Sequence, residues 1–179
     1  MKITADGFIE VDVTPEMLEE ADRRNKEFLR RYGHAGTHRK NKEEQRRTGY
    51  VAESAVRSVF PDLEYADDPK VDFVRGETTF DSKAQGCNGP PAPNYSATLY
   101  EEQAARAVDY LVFSRVKKDF KKVWICGFIS KADYLKVAKL QPAGTKNNNF
   151  TYDEARYETE YRKLRQVTSV GDLFESNGG

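Results

Sequence analysis

The chain has 179 residues, of which 38% are hydrophobic and 32% charged, with a mean hydropathy of −0.79. This length allows one domain with a sizeable core. The longest apolar run, Val123–Ile129, is too short to span a bilayer, the first residues lack the apolar region of a signal peptide, and two cysteines make neither a disulfide framework nor a zinc spacing. We therefore expect a cytoplasmic protein with no membrane partner.

The charges balance overall but are unevenly distributed along the chain. Residues 1–22 hold seven acids and one lysine, and residues 23–47 hold ten Lys or Arg against three Glu. Residues 62–81 are acidic again, with seven acids and two bases. A basic segment beside an acidic one is what a metal-dependent enzyme acting on a polyanion needs, because one binds phosphates and the other binds cations. The alternative is that the basic segment is only a solvated helix face.

Two helices are predicted in the first third of the chain. Thr14 followed by Pro15 is a helix start, and an apolar stripe predicts a helix from residue 15 to residue 32, ended by Gly33. After a polar loop, a second helix is predicted over residues 42–60. A short strand is expected at residues 63–65.

A tight hairpin is predicted next. Residues 70–75 and 78–84 are extended runs, and Gly76-Glu77 separates them. Glycine at the first central position is typical of a two-residue type II′ turn. Such a turn fixes the register of the two strands.

That register places two aspartates opposite each other. Asp72 pairs with Asp81, roughly 5 Å apart at Cβ. Lys83, two residues beyond Asp81, points to the same side of the strand. Because directly opposed like charges destabilise a sheet, we expect a divalent cation between the two carboxylates.

The rest of the chain alternates strands and helices. Two nearly continuous apolar runs are typical of strands covered on both faces, and Ser130 begins a capping box. In order, we expect a loop at 86–94, a short helix at 99–106, strands at 108–113 and 123–129, a helix from 131 to about 140, a loop at 141–149 and a strand within 155–167. This order predicts an α/β fold, with a mixed central sheet flanked by helices.

One further acid belongs with the hairpin. Glu53 lies on the second predicted helix, at the edge of its buried arc, where a carboxylate can reach a cleft between helix and sheet. The alternative is an exposed glutamate near the boundary. The order Glu53, Asp72, Asp81-Ser82-Lys83 resembles the PD-(D/E)XK nuclease superfamily over about residues 42–140. Two departures are that Pro69 lies three residues before the first Asp and that the second acid is Asp instead of Glu.

The resemblance implies both a fold and a domain division. It implies a restriction-endonuclease-like core, which we place at residues 41–175. Residues 1–40 are expected to form an N-terminal helical extension, and residues 176–179 a disordered tail.

The resemblance also implies a chemistry. Asp72 and Asp81 would be ligands of Mg²⁺, or of Mn²⁺ in its place, and Glu53 would bind a second ion or hold a coordinated water. Lys83 would orient or deprotonate the attacking water and stabilise charge on the phosphate. Gln85, on the same side of the strand, would support the site.

The functional prediction is a Mg²⁺-dependent DNA endonuclease of the phage, homing or restriction kind, acting as a homodimer. Two histidines four residues apart, separated by Gly36, favour contact with DNA phosphates over zinc binding. The predicted DNA-contacting residues are His34, His38, Arg39, Lys40, Arg46 and Arg47. Two alternatives are an inactive DNA-binding or structural protein with the same fold, and a cytosolic domain whose aspartates bind a structural cation.

Overall fold

A computed structural model describes residues 1–33 and 42–175. The helices are α1 (Pro15–Tyr32), α2 (Lys42–Val59), α3 (Glu101–Ala104), α4 (Lys131–Val137) and α5 (Asp172–Glu175), with a 3₁₀ turn at Tyr161–Lys163. The strands are β1 (Lys2–Ile3), β2 (Ile9–Asp12), β3 (Glu64–Tyr65), β4 (Phe73–Arg75), β5 (Thr78–Cys87), β6 (Ser96–Tyr100), β7 (Tyr110–Lys117), β8 (Lys122–Ser130), β9 (Lys139–Gln141), β10 (Lys146–Asn147), β11 (Phe150–Thr151) and β12 (Arg156–Glu160).

A seven-stranded sheet is the centre of the fold. Its strand order is β1-β2-β8-β7-β5-β4-β3. The pairing of β5 with β7 is parallel and the other pairings are antiparallel, so the sheet is mixed. The predicted class, a mixed central sheet flanked by helices, is confirmed.

The two faces of this sheet are covered by different layers. Val112 and Val116 of β7 pack with the apolar side chains of α2 on one face. Leu111 and Phe113 of the same strand face the other side, where they pack with α4 and with a small sheet of order β6-β12-β9. Because successive residues of a strand point to opposite faces, both faces of β7 are apolar, as its continuous apolar run predicted.

The predicted helix boundaries agree closely with the structure. The Thr14 side chain accepts a hydrogen bond from the Met17 N–H at 3.3 Å and begins α1. At its other end, the Gly33 N–H donates to the Leu29 carbonyl with a φ of 63°, which glycine adopts at little cost. Helix α2 ends at Val59, one residue before the predicted end.

The predicted hairpin register is also confirmed. Residue pairs Arg75–Thr78 and Phe73–Phe80 are cross-strand partners in β4 and β5. Gly76 has a φ of 60°, as the first central position of a type II′ turn requires. The turn residues therefore set which side chains of the two strands meet.

The regions after the hairpin needed corrections. The predicted loop at 86–94 begins later, because β5 pairs with β7 as far as Cys87. The predicted helix at 99–106 is reduced to α3, since β6 pairs with β12 up to Tyr100. Helix α4 ends at Val137, and the region predicted as its end and a following loop instead holds β9, which pairs with β12, and β10, which pairs with β11.

The N-terminal segment is more than a helical extension. Strand β2 pairs with β8 through Ile9–Ile125 and Val11–Val123, which places residues 9–12 inside the central sheet. Helix α1 then packs along α2. The predicted tail at 176–179 lies outside the described residues, and within those residues no helix has the length and apolar character needed to cross a membrane.

Candidate active site at the edge of the sheet

The candidate site forms where β5 continues beyond its partner β4. The ladder between these strands stops at Phe73–Phe80, while β5 runs on beside β7. Just past this point the Asp72 N–H still donates to the Phe80 carbonyl at 3.1 Å, and Asp72 Oδ2 accepts the Ser82 N–H at 2.7 Å. The carboxylate thus takes the place of a backbone carbonyl in the ladder. This contact fixes Asp72 beside the Asp81–Lys83 segment.

Asp81 and Lys83 form a close ion pair on β5. Lys83 Nζ lies 2.8 Å from Asp81 Oδ2, and only 3% of the Asp81 side chain and 13% of the Lys83 side chain are exposed. The distance is that of an ion pair, but Asp81 Oδ2 has no hydrogen bond of good geometry within the described part of the chain. A buried carboxylate oxygen in this state retains capacity for a further ligand.

Glu53 approaches the same region from α2. It is buried, and Arg24 of α1 lies with Nη1 2.5 Å from its Oε2. The Arg24 guanidinium lies between two aromatic rings, 4.7 Å from the centroid of Tyr50 and 4.0 Å from that of Tyr65. Two aromatic faces and a carboxylate therefore hold one guanidinium in place.

The pKa values of two of these acids, Asp72 and Glu53, are raised at this site. Burial raises the pKa of Asp72 well above its ordinary value, and the neighbouring charges of Glu53 and Asp81 raise it further. Burial also raises the pKa of Glu53, although Arg24 opposes this shift. We call Glu53, Asp72 and Asp81 the carboxylate site. Its three acids outnumber the two cations that face them, Arg24 and Lys83.

The residues of the carboxylate site fit a divalent cation through two ligands. Mg²⁺ is usually bound by one or two carboxylates together with substrate phosphates and waters. Asp72 and Asp81 supply such a pair, with Asp81 Oδ2, which is ion-paired with Lys83, as one candidate ligand atom. Glu53 is engaged by Arg24, and among residues 1–33 and 42–175 no three His, Cys, Asp or Glu are arranged to share one ion. A ligand role for Glu53 stays a prediction.

An open cleft of about 820 Å³ reaches the site at Lys83, while Glu53, Asp72 and Asp81 are not among the described residues that line it. Lys83 and the predicted supporting residue Gln85 both line it. The first half of α2, strand β6 and strand β7 supply other walls, and Arg115 and Lys118 add positive charge. The cleft has room for a nucleotide-sized ligand beside Lys83.

The predicted DNA-contacting arginines have partners inside the protein. Arg46 Nε donates to Asn25 Oδ1 at 3.2 Å, and Arg47 Nε donates to Asp22 Oδ1 at 2.9 Å. Both contacts join α2 to α1, so this part of the basic segment helps to pack the two helices. DNA contact by either arginine stays a prediction. The other four predicted contacts, His34, His38, Arg39 and Lys40, lie outside the described residues.

Sequence reasoning missed the residues that hold Glu53. Arg24 was part of the basic segment assigned to phosphate binding, and Tyr50 and Tyr65 were given no role. Nothing in the local sequence distinguishes Arg24 from the other arginines of α1, so its contact with Glu53 could not be predicted. Only the packing of α1 on α2 brings Arg24 to a glutamate 29 residues away.

Comparison with known proteins leaves the fold family open. No protein-family model matches the chain, and neither curated proteins nor solved structures contain a match.

Proposed function

We propose that the protein is a Mg²⁺-dependent DNA endonuclease with a restriction-endonuclease-like core. The observation that carries the proposal is the meeting of Asp72 and Asp81 beside Lys83, whose side chain lines the cleft. Placing a half-buried carboxylate, Asp72, against a buried one, Asp81, is costly for stability alone, since like charges in close contact repel each other. A function that uses these charges explains why they are placed there.

In this proposal Asp72 and Asp81 hold the divalent cation. When bound, Mg²⁺ or Mn²⁺ would supply positive charge to the scissile phosphate and make an attacking water more acidic. The Ser82 N–H keeps the Asp72 carboxylate in position through its 2.7 Å hydrogen bond. Glu53 is a supporting acid, and Arg24 holds it close to the two aspartates.

Lys83 is the proposed catalytic cation. Its contact with Asp81 keeps the ammonium group at the cleft wall, where it can orient the attacking water. The same ammonium group neutralises charge that develops on the phosphate oxygens in the transition state. Gln85 lines the cleft two residues further on and can donate a hydrogen bond to the same phosphate or its neighbour.

DNA is the proposed partner, and a homodimer is the proposed assembly for cutting two strands. The cleft is lined by Lys83, Arg115 and Lys118 against one acid, Glu44, and Lys83 also pairs with Asp81, so Arg115 and Lys118 supply most of the positive charge that favours a polyanion there. The six predicted phosphate contacts of the basic segment remain part of this proposal.

The test is incubation of the purified protein with linear, supercoiled and four-way-junction DNA, in Mg²⁺, in Mn²⁺ or in EDTA. We expect cleavage of at least one substrate in either metal and none in EDTA. Cleavage that persists in EDTA would contradict the metal-dependent mechanism. DNA binding with no cleavage of any substrate would favour the alternative, an inactive DNA-binding protein with this fold.

A further inference from the structure

An exposed phenylalanine, Phe150, lines the cleft from a small hairpin. Phe150 begins β11, pairs with Asn147 of β10, and has 59% of its surface exposed. It lines the same cleft as Lys83 and Gln85. A large apolar side chain this exposed, at the wall of a polar and positively charged cleft, is a candidate contact for a ligand.

The hairpin that carries Phe150 is firmly anchored to the fold. Tyr152, two residues along, is only 6% exposed, and its hydroxyl donates to Glu158 Oε1 of β12 at 2.9 Å. The Asn147 side-chain amide donates to the same hydroxyl at 3.0 Å, and the Arg156 guanidinium lies 4.0 Å from the centre of the Tyr152 ring. The Phe150 ring lies 6.1 Å from the Tyr152 ring between centroids, so a buried neighbour holds the base of the exposed side chain.

The cleft combines the two chemistries that a nucleotide presents. Lys83 and Lys118 offer positive charge to phosphate, and Gln85 offers an amide to polar groups. The Phe150 ring offers a flat apolar face, on which any base can stack. Bases inside a duplex are already stacked on their neighbours, so this face is useful only to a base that is unpaired or displaced from the helix.

We propose that Phe150 stacks on an unpaired base next to the cleaved phosphodiester, so that the preferred substrate is DNA with unpaired nucleotides, such as a bulge, flap or internal loop. This inference rests on the proposed nuclease function. It adds a substrate class that the carboxylate site alone does not define, since the proposed role of that site is to hold the cation that acts on the phosphate.

The test compares cleavage of two DNAs of the same sequence, one fully paired and one with a three-nucleotide internal loop. We expect the wild-type protein to cleave the looped DNA faster. In Phe150→Ala the ratio of the two rates should fall about tenfold, as expected for the loss of one stacked base. Phe150→Tyr should restore the ratio, because its ring can stack in the same way.

A matched control and a binding assay separate this inference from the nuclease proposal. Tyr32→Ala removes another exposed aromatic ring, 46% exposed at the end of α1, and should leave the ratio unchanged. In EDTA, 2-aminopurine placed in the loop should be quenched by wild-type protein and not by Phe150→Ala. Quenching without cleavage of any DNA would support stacking and contradict the nuclease. Equal cleavage of both DNAs, or a ratio unchanged in Phe150→Ala, would overturn the stacking proposal alone.

Discussion

Arg24 and Glu53 form a partly buried ion pair between α1 and α2, with 2.5 Å between Nη1 and Oε2 and side-chain exposures of 20% and 8%. The pair connects the N-terminal helix to the carboxylate site. The charge of Glu53 raises the pKa of Asp72. Because Arg24 favours the charged form of Glu53, it also affects the protonation of Asp72.

Removing Arg24 should destabilise the protein through Glu53. We expect Arg24→Met to lower the free energy of unfolding by about 1–3 kcal/mol, because a buried charged group loses its hydrogen-bonded partner. The loss should be smaller in a Glu53→Gln background, where no charge is left unpaired. Urea unfolding of the two single variants and the double variant measures this coupling.

Arg30 provides the control for that cycle. It pairs with Glu27 at 2.7 Å on the exposed side of α1, with 70% of its side chain exposed. Because exposed ion pairs contribute little, Arg30→Met should change stability by less than about 0.5 kcal/mol. Equal losses for the two arginines, or no coupling between Arg24 and Glu53, would contradict the assigned role of the pair.

The raised pKa of Asp72 predicts how stability depends on pH. Its carboxyl binds a proton more tightly in the folded chain than in the unfolded chain, whose ordinary pKa is 3.8. Without divalent metal, this group's contribution to stability should therefore be fully present below that value and fall as the pH rises through the folded pKa. Asp72→Asn should remove this dependence, because an amide does not titrate in this pH range. Its oxygen can still accept the Ser82 N–H, so the local structure should be kept.

At neutral pH without divalent metal, Asp72→Asn should be more stable than wild type by about 0.5–2 kcal/mol. Mg²⁺ should stabilise the wild type and have little effect on the variant. Denaturant unfolding between pH 4 and pH 8, with and without Mg²⁺, measures both effects. If Asp72→Asn is less stable than wild type at pH 7, and its stability changes with pH as that of the wild type does, the raised pKa assigned to Asp72 is contradicted.

Lys83 is expected to act in the chemical step. Lys83→Met should lower the cleavage rate at saturating DNA by about 10²–10⁴-fold, the usual contribution of a positioned acid–base or charge-stabilising group. Lys117 is a matched control, because it lies on β7 and also forms a 2.8 Å ion pair with an aspartate two residues along, Asp119. Lys117→Met should cleave at close to the wild-type rate. Similar losses in both variants would indicate a general effect of charge.

Local signals were sufficient for several elements of this fold. Thr14, Gly33 and Gly76 act on their immediate neighbours, so the bounds of α1 and the register of the β4–β5 hairpin could be predicted. Asp72 and Asp81 are the next pair in that register, one step beyond Phe73–Phe80, where the observed ladder stops. The prediction of the two aspartates and Lys83 as neighbours depended on this alone.

Features made by distant segments could not be predicted in the same way. Strand β2 has only four residues and is defined by pairing with β8, more than a hundred residues later. The end of β5 depends on β7, and α3 is short because β6 pairs with β12. For the same reason the Arg24 contact with Glu53 was missed, and two arginines of the basic segment turned out to join helices.

The central claim is that the carboxylate site cleaves DNA with the help of a divalent cation. The most direct measurement is the rate of nicking of supercoiled DNA by wild type, Asp81→Asn and the control Asp119→Asn, each first shown to be folded by its thermal unfolding. We predict metal-dependent nicking by wild type and Asp119→Asn, with Asp81→Asn at least about 100-fold slower. Equal nicking by Asp81→Asn and wild type would contradict the account.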